Sequence, residues 1–406
     1  MTELFIQEQG TKKEIALLEN GKLIEYYEEN ISGDNSQIRK EGNIYIGIVR
    51  DVLKGMQAAF VDIGTEKNAF IHLKDLLPKI DETKQKLPQD IDISQLVKPG
   101  DKILVQVKKD SNEKKGARVS THINLPSKYI ALMPNTDIIT VSQKIEDEKE
   151  QKRLKQLAKE HLSEGNGVIL RTSAENKTQE IIDDIAKTEA KWNSILETSI
   201  DPDNDEPQLL YKSEDIAEKI LIDMIEKDLE KIIVNTKRLY AEMDKILKAD
   251  KQYSRIKLEL NEKDNIFDTE DIEKQIQKSL NRKIWLKCGG FITIDKTEAL
   301  TAIDVNTGKY TGCKDAEKTI FRVNKEATIE IAKQLRLRDI GGVIIIDYID
   351  MKDENDKTKI ENLLKEELKK DRTKTQVEGW TKLDLMELTR KHIWDFRTKK
   401  LERERE

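Results

Sequence analysis

All seven prolines of this 406-residue chain lie at or before Pro207, and the 199 residues that follow contain none. Proline fixes φ and has no N–H to donate, so it interrupts helix interiors and central strands. The chain therefore divides into a turn-rich first half and a second half free to form long helices and buried strands. Its length suits roughly two to four domains. Hydrophobic and charged residues each make up 37%, which implies a folded core under a highly charged surface. The net charge of −6 gives no global basic signature, so nucleic-acid binding has to be sought in local patches. Cys288 and Cys313 are the only cysteines and form no Cys-x-x-Cys, which argues against a zinc knuckle or a disulfide framework and suits a reducing compartment. The start, "MTELFIQEQGTKKE", lacks an apolar run of signal-peptide length, and no stretch approaches about 18 apolar residues. A cytoplasmic protein that does not cross a membrane is expected.

Residues 1–38 read as strand, turn at Asn20-Gly21, strand and polar loop. Five short alternating segments follow: "NIYIGIVRDV", "MQAAFVDIG", "NAFIHL", "GDKILVQVKKD" and "ARVSTHINL". Glycine turns separate them, and a polar insertion holds Pro78 and Pro88, a pattern that suggests a small barrel of oligonucleotide-binding type. "SQKIEDEKEQKRLKQLAKEHL" and residues 177–198 have helical spacing, "GVILRTSAEN" is a strand leaving into a turn, and "DPDNDEPQ" is a linker. A long helix is expected from Glu214 to Lys248, a strand at "SRIKLEL" and a helix over 269–281. The last block reads as two strands in "WLKCGGFITIDKTEALTAIDV" and a helix from Lys314 with Ile320, Val323, Ala327, Ile331 and Leu335 on one face. A buried strand at "VIIID" and a helix over 355–370 come next. "KTQVEGWTKLDLMELTRK" then reads as strand, turn and basic helix. This order implies a layered α/β body.

Two strands end on chemistry. Asp347 follows Gly342–Ile346, a run that can only be core, and Asp304 follows a similar apolar lead in "ALTAIDVNTG". If the strands are neighbours, both carboxylates lie at one sheet edge, where they repel each other unless a cation sits between them. Oxygen ligands without His or Cys suit magnesium or manganese, and a magnesium site leaves room for a phosphate oxygen and an attacking water. Asn306, two residues beyond Asp304, shares its face and would hold a water or the substrate. Each aspartate also fits a plainer role, capping the next helix. Asp350 and Asp353 lie near enough to share the task or to be merely solvated.

"TEALTAIDVNTGKYTG" and "KEATIEIAKQLRLRDIGGVIIIDYIDM" resemble the signature of the ribonuclease E/G family, in its short ribonuclease G form. The resemblance extends through "GNIYIGIVRDVLKGMQAAFVDIGTEKNAFIHL", "YIALMPN", "GVILRTSAEN", "KCGGFITIDKTEALTAIDVNTG" and "TKLDLMELTRK", nearly the whole chain. It implies an α+β multidomain fold, with an S1-type OB-fold barrel inserted in an RNase H-like subdomain and a DNase I-like α/β catalytic subdomain after it. The corresponding segments are 1–38 and 214–281 for the RNase H-like part, 39–122 for the S1 domain, 123–213 for a 5′-sensor region, and 282–406 for the catalytic subdomain with a basic C-terminal tail.

The implied activity is an endoribonuclease that cuts single-stranded, AU-rich RNA by water attack. It leaves a 5′-phosphate and a 3′-hydroxyl, and serves rRNA processing and mRNA decay. The family's metal-binding aspartates fall on Asp304 and Asp347, with Asn306 as the supporting asparagine and Mg²⁺ or Mn²⁺ as the ion. Phe60 and Phe70 fall on base-stacking positions, although either could equally fill the barrel. Lys115 falls on an RNA-contacting lysine within the basic loop Lys108, Lys109, Lys114, Lys115 and Arg118. Arg171 and Thr172 fall in a pocket for a 5′-monophosphate. Two departures stand out. A basic pair after "LMPN" reads Gln143-Lys144, which weakens the case for 5′-end sensing. The family's Cys-Pro-x-Cys segment after "TRK" is replaced by "HIWDFRTKKLERERE", so no zinc is expected and any homo-oligomer would not be zinc-linked. The alternatives are an RNA-binding protein of the same fold that cleaves weakly or not at all, and a metal-dependent phosphatase acting on small nucleotides.

Overall fold

A computed structural model describes residues 1–31, 40–76, 91–111, 115–197, 205–224, 229–249, 251–308, 316–371 and 373–391. They group into two compact units, one of residues 1–29 with 227–406 and one of residues 30–226.

In the first unit, a five-stranded sheet runs in the order Lys257–Leu260, Leu229–Val234, Thr2–Gln9, Lys12–Glu19, Lys22–Asn30. The N-terminal segment is thus three strands rather than two, because the chain also turns at Gly10-Thr11. The long helix expected over 214–248 is likewise broken. Helices span Ile216–Met224 and Lys237–Ala249, with the strand Leu229–Val234 between them. The reason lies in "IIV": β-branched side chains favour strands. Ile232, Ile233 and Val234 align in parallel with Leu4, Phe5 and Ile6, and all six are buried.

The second sheet of this unit carries the catalytic candidates. Its six strands run Lys283–Trp285, Phe291–Lys296, Leu300–Asn306, Gly342–Asp347, Leu385–Arg390, Thr375–Trp380. The "basic helix" expected at the end is the strand Leu385–Arg390, antiparallel to Gly342–Asp347. Met386, Leu388 and Arg390 point inward while Glu387 and Thr389 point out, the period of two that a strand requires. Helices Ala316–Leu337 and Glu354–Lys369 cover one face. Val323, Ala327, Ile331, Leu335, Ile360, Leu364 and Leu368 pack there on Ile303, Val305, Ile344, Ile346, Met386 and Leu388. Asp304 and Asp347 lie on the other face.

In the second unit, Ile44–Leu53, Ala58–Asp62, Ala69–His72, Lys102–Lys109 and Arg118–Ser120 close into a five-stranded barrel, as the five alternating segments predict. The closing contact is between the first strand and the fourth. Gln208–Tyr211, partly assigned to the linker, is a strand added to the barrel's first strand. A four-stranded sheet of Ile139–Val141, Asn166–Leu170, Ile130–Pro134 and Leu125–Pro126 shares a core with helices Glu148–His161 and Gln179–Glu197 through Leu154, Ala158, Ile181, Ile185 and Trp192. The Pro78/Pro88 insertion, Lys114, Cys313 and the tail from residue 392 lie outside the described residues.

Candidate active site and RNA-binding surfaces

Asp304 and Asp347 are register partners on adjacent parallel strands, whose backbones lie about 5 Å apart. Inward residues alternate with outward ones along Leu300–Asn306, so Ala302, Asp304 and Asn306 share the face away from the helices. Asn306 Nδ2 donates to Asp304 Oδ2 at 2.6 Å. Burial first, and then the charges of Asp304 and Asp350, push the Asp347 carboxyl above its ordinary pKa. Among the described residues no lysine or arginine forms an ion pair with either carboxylate. Arg282 feels the charge of Asp304 but is held by Asp295 at 2.5 and 2.6 Å, and this pairing, with Asp304 adding to it, raises the arginine's pKa.

The supports of this site lie in residues to which the sequence reading gave no role of their own. The Asn324 side chain, fully buried in its helix, grips the backbone just after Asp347. Its Nδ2 donates to the Ile349 carbonyl at 2.8 Å, and its Oδ1 accepts from the Ile349 N–H at 3.1 Å. Thr328 and Tyr348 share a hydroxyl hydrogen bond of 2.9 Å one turn further along. A buried polar residue on an otherwise apolar helix stripe was the available signal. Gly308 ends the other strand at φ +60°, where a Cβ would sit 2.6 Å from the Gly289 carbonyl oxygen, so only glycine fits. Asp353 accepts from the Asn355 N–H at 2.9 Å and caps its helix, a third role beside the two considered for it.

Two like charges side by side, supplied with oxygen ligands only, suit a hard divalent cation that keeps several waters. Among the described residues no cluster of three or more His, Cys, Asp or Glu forms a fuller cage. The residues present therefore fit a magnesium-type ion held by one or two carboxylates.

On the barrel, Phe60 and Phe70 are cross-strand partners, with ring centroids 6.1 Å apart at 69°. Ala59, Val61, Ala69 and Ile71 fill the interior, and the two half-buried phenylalanines alternate to the outside. Lys115 is exposed beside them. The Phe70 N–H donates to the Ala117 carbonyl at 2.7 Å. Gly116 packs so closely that a Cβ would meet the Asn68 carbonyl oxygen at 2.0 Å. Part of the basic loop serves the barrel itself. Lys108 Nζ donates to Gln106 Oε1 and the His122 carbonyl, both at 2.6 Å, and Arg118 pairs with Asp75 at 2.8 Å.

Arg171 and Thr172 leave the end of the strand Asn166–Leu170. Arg171 Nη1 donates to the Ser127 carbonyl at 2.7 Å, and the buried Asp184 accepts from the Ser127 hydroxyl and the Tyr129 N–H. The Thr172 and Ser142 hydroxyls lie 3.0 Å apart. The parallel register of Val141 with Leu170 brings Ser142 and Lys144 to this place. Ser142 carried no sequence signal, because its neighbour is supplied by strand pairing alone.

Comparison with known proteins defines the class. The Ribonuclease E/G family pattern matches residues 124–393, and the S1 RNA binding domain matches residues 39–122. The chain belongs to the ribonuclease E/G family. Within it, the chain is 40% identical to ribonuclease G of Escherichia coli over 96% of its own length and 79% of that protein, and equally so to ribonuclease G of Haemophilus influenzae. It is 36% identical to ribonuclease E of Nostoc sp. over 86% of its length and 51% of that longer protein. The match is thus to the short, ribonuclease G-like form. Among the described residues no helix is long and apolar enough to cross a membrane.

Proposed function

We propose that this chain is a divalent-metal-dependent endoribonuclease that cuts single-stranded, AU-rich RNA by water attack, leaving a 5′-phosphate and a 3′-hydroxyl, in rRNA processing and mRNA decay. Family membership and the S1 domain support the coarser part, an endoribonuclease that binds RNA. Metal dependence is supported by one observation, the register pairing of Asp304 with Asp347 on an exposed sheet face.

Asp304 and Asp347 would hold magnesium or manganese. When bound, the ion supplies positive charge against the phosphate and lowers the pKa of water. Asn306 fixes the orientation of the Asp304 carboxylate by its 2.6 Å hydrogen bond, and Asn324 fixes the chain after Asp347. Phe60 and Phe70 offer ring faces on which bases of any identity stack, at about 1–3 kcal/mol each, and Lys115 contacts phosphate. Arg171 and Thr172 bind a 5′-monophosphate, the arginine through charge-assisted hydrogen bonds.

In the same reading residues 1–38 and 214–281 are RNase H-like, 123–213 form the sensor and 282–406 the DNase I-like catalytic subdomain. A sheet of three antiparallel strands extended by two parallel ones supports the first assignment.

Purified protein with magnesium is expected to cut an AU-rich single-stranded oligonucleotide. Asp304→Asn is expected to lower the rate by about ten-thousand-fold while RNA binding persists. Equal cutting by the variant would remove the site, and binding without cutting by the unaltered protein would turn the reading to an RNA-binding protein. Arg171→Ala is expected to reduce the preference for 5′-monophosphate over 5′-hydroxyl substrates by on the order of ten-fold. An unchanged ratio would overturn the pocket.

A further inference from the structure

Next to the paired carboxylates stands an aromatic group that neither the motif nor the assigned RNA-binding parts use. Trp285 has 58% of its surface open and is the only exposed aromatic side chain among the described residues. In the strand Lys283–Trp285, Ile284 packs against the helix-covered core, so Lys283 and Trp285 point to the opposite face, the face of Asp304. The register runs Trp285 to Phe291 to Asn306 across three neighbouring strands. Trp285 therefore stands two strands, about 10 Å, from Asn306. Its ring also borders the turn that ends the Asp304 strand, since a Cβ on Gly308 would lie 3.5 Å from Trp285 Cζ3.

The ring is held in place rather than loose. It packs edge-to-face on Phe291, with centroids 5.3 Å apart at 61°. Lys283 Nζ lies 4.3 Å from the Trp285 centroid and 3.5 Å from that of Phe291. A tryptophan exposed to this extent forgoes burial of the largest apolar side chain available. With an ammonium beside it, the pair presents a flat π face and a phosphate contact on the same sheet face as the carboxylates. That is the combination single-stranded nucleic acid binds, the base on the ring and the backbone on the cation.

We propose that Trp285 is a stacking platform for the base of a nucleotide flanking the scissile phosphate, with Lys283 on the adjoining phosphate, so that Trp285 sets where along the strand the cut falls. The proposal rests on the endoribonuclease reading of Asp304 and Asp347, and its decisive test is made independent of turnover. Binding of a single-stranded oligonucleotide is measured with the Asp304→Asn protein, carrying Trp285 or Trp285→Ala, against a set in which one base at a time is removed. The loss of Trp285 is expected to weaken binding on the order of ten-fold. Removal of one particular base is expected to weaken the Trp285 protein by a similar factor and the Trp285→Ala protein not at all. A ring substitution, Trp285→Phe, should restore most of the affinity. Trp285→Leu keeps apolar bulk on Phe291 without a ring and serves if Trp285→Ala does not fold. In the Asp304 protein, Trp285→Ala is expected to spread or shift the cleavage positions.

Equal affinity of the Trp285 and Trp285→Ala proteins, or base-removal profiles that are the same in both, would overturn the platform even if magnesium-dependent cutting is found. Absence of cutting by the unaltered protein would instead defeat the nuclease reading, and the binding comparison would still decide on Trp285.

Discussion

Two pairs of aspartates flank the Gly342–Asp347 strand, one at each end. Near its start, Asp339 and Asp371 both grip Arg390, at 2.7 and 2.8 Å, and all three side chains are only 1–2% exposed. At its finish, Asp304 and Asp347 stand exposed, and the neutral amide of Asn306 donates a hydrogen bond to Asp304. In the first pair the chain supplies the compensating charge itself and seals the group from water. In the second it brings like charges together, and among the described residues no lysine or arginine pairs with them. Buried, internally paired charges hold a structure in one arrangement. Exposed, unpaired ones mark a place for a ligand.

The largest effect expected from this contrast is on folding. Arg390→Met would leave two carboxylates buried without their cation, at a cost of about 3–5 kcal/mol. Arg390 also donates to the Ile340 carbonyl at 3.0 Å, which ties the start of the strand to its neighbour. The measurement is urea unfolding, where a lower midpoint at an unchanged slope reports lost stability. Adding Asp339→Asn and Asp371→Asn to Arg390→Met should recover part of the loss, because amides need no counter-charge. If Arg390→Met unfolds at the same urea concentration as the parent, the internal pairing is not what secures this end of the sheet. The contrast would then fail on its structural side.

The two ends differed equally in how far they could be read in advance. Asp347 was legible because a five-residue apolar run ended on a charge, a pattern with few explanations. Its pairing with Asp304 needed only the assumption that the two strands are neighbours, and the parallel register places them so. Arg390 was not legible. Within "DLMELTRK" its charge and its basic neighbours look like a helix end facing solvent, and only the alternation of Met386, Leu388 and Arg390 points to a strand with an arginine turned inward. The strand Leu229–Val234 was hidden for a related reason, since its flanks are good helix formers and only its partner strand, more than two hundred residues away, decides the outcome. Strand pairing over shorter separations also brought Ser142 beside Thr172 and aligned Trp285, Phe291 and Asn306 across three strands, and no local pattern encodes it.

The smallest effect concerns the exposed pair itself, and it separates a site kept for a ligand from one kept for the fold. Burial, with Asp304 and Asp350, raises the Asp347 carboxyl above the ordinary 3.8. The folded chain therefore holds this proton more tightly than the unfolded chain does. Between the ordinary value and the raised one the folded state binds more protons, so this group's contribution to stability is lost as pH rises through that window. At neutral pH and without metal, the charged Asp347 works against the fold. Asp347→Asn should raise the urea midpoint of the metal-free protein slightly, and the gain should vanish at a pH below the window, where the carboxyl is already neutral. Magnesium should stabilise the parent protein at neutral pH, since an ion that binds only the folded form shifts the equilibrium by mass action, and it should do so much less for Asp347→Asn. A variant that is less stable than its parent at neutral pH without metal would mean that the carboxylate contributes to the fold after all. The distinction between the two ends of the strand would then lie in exposure alone.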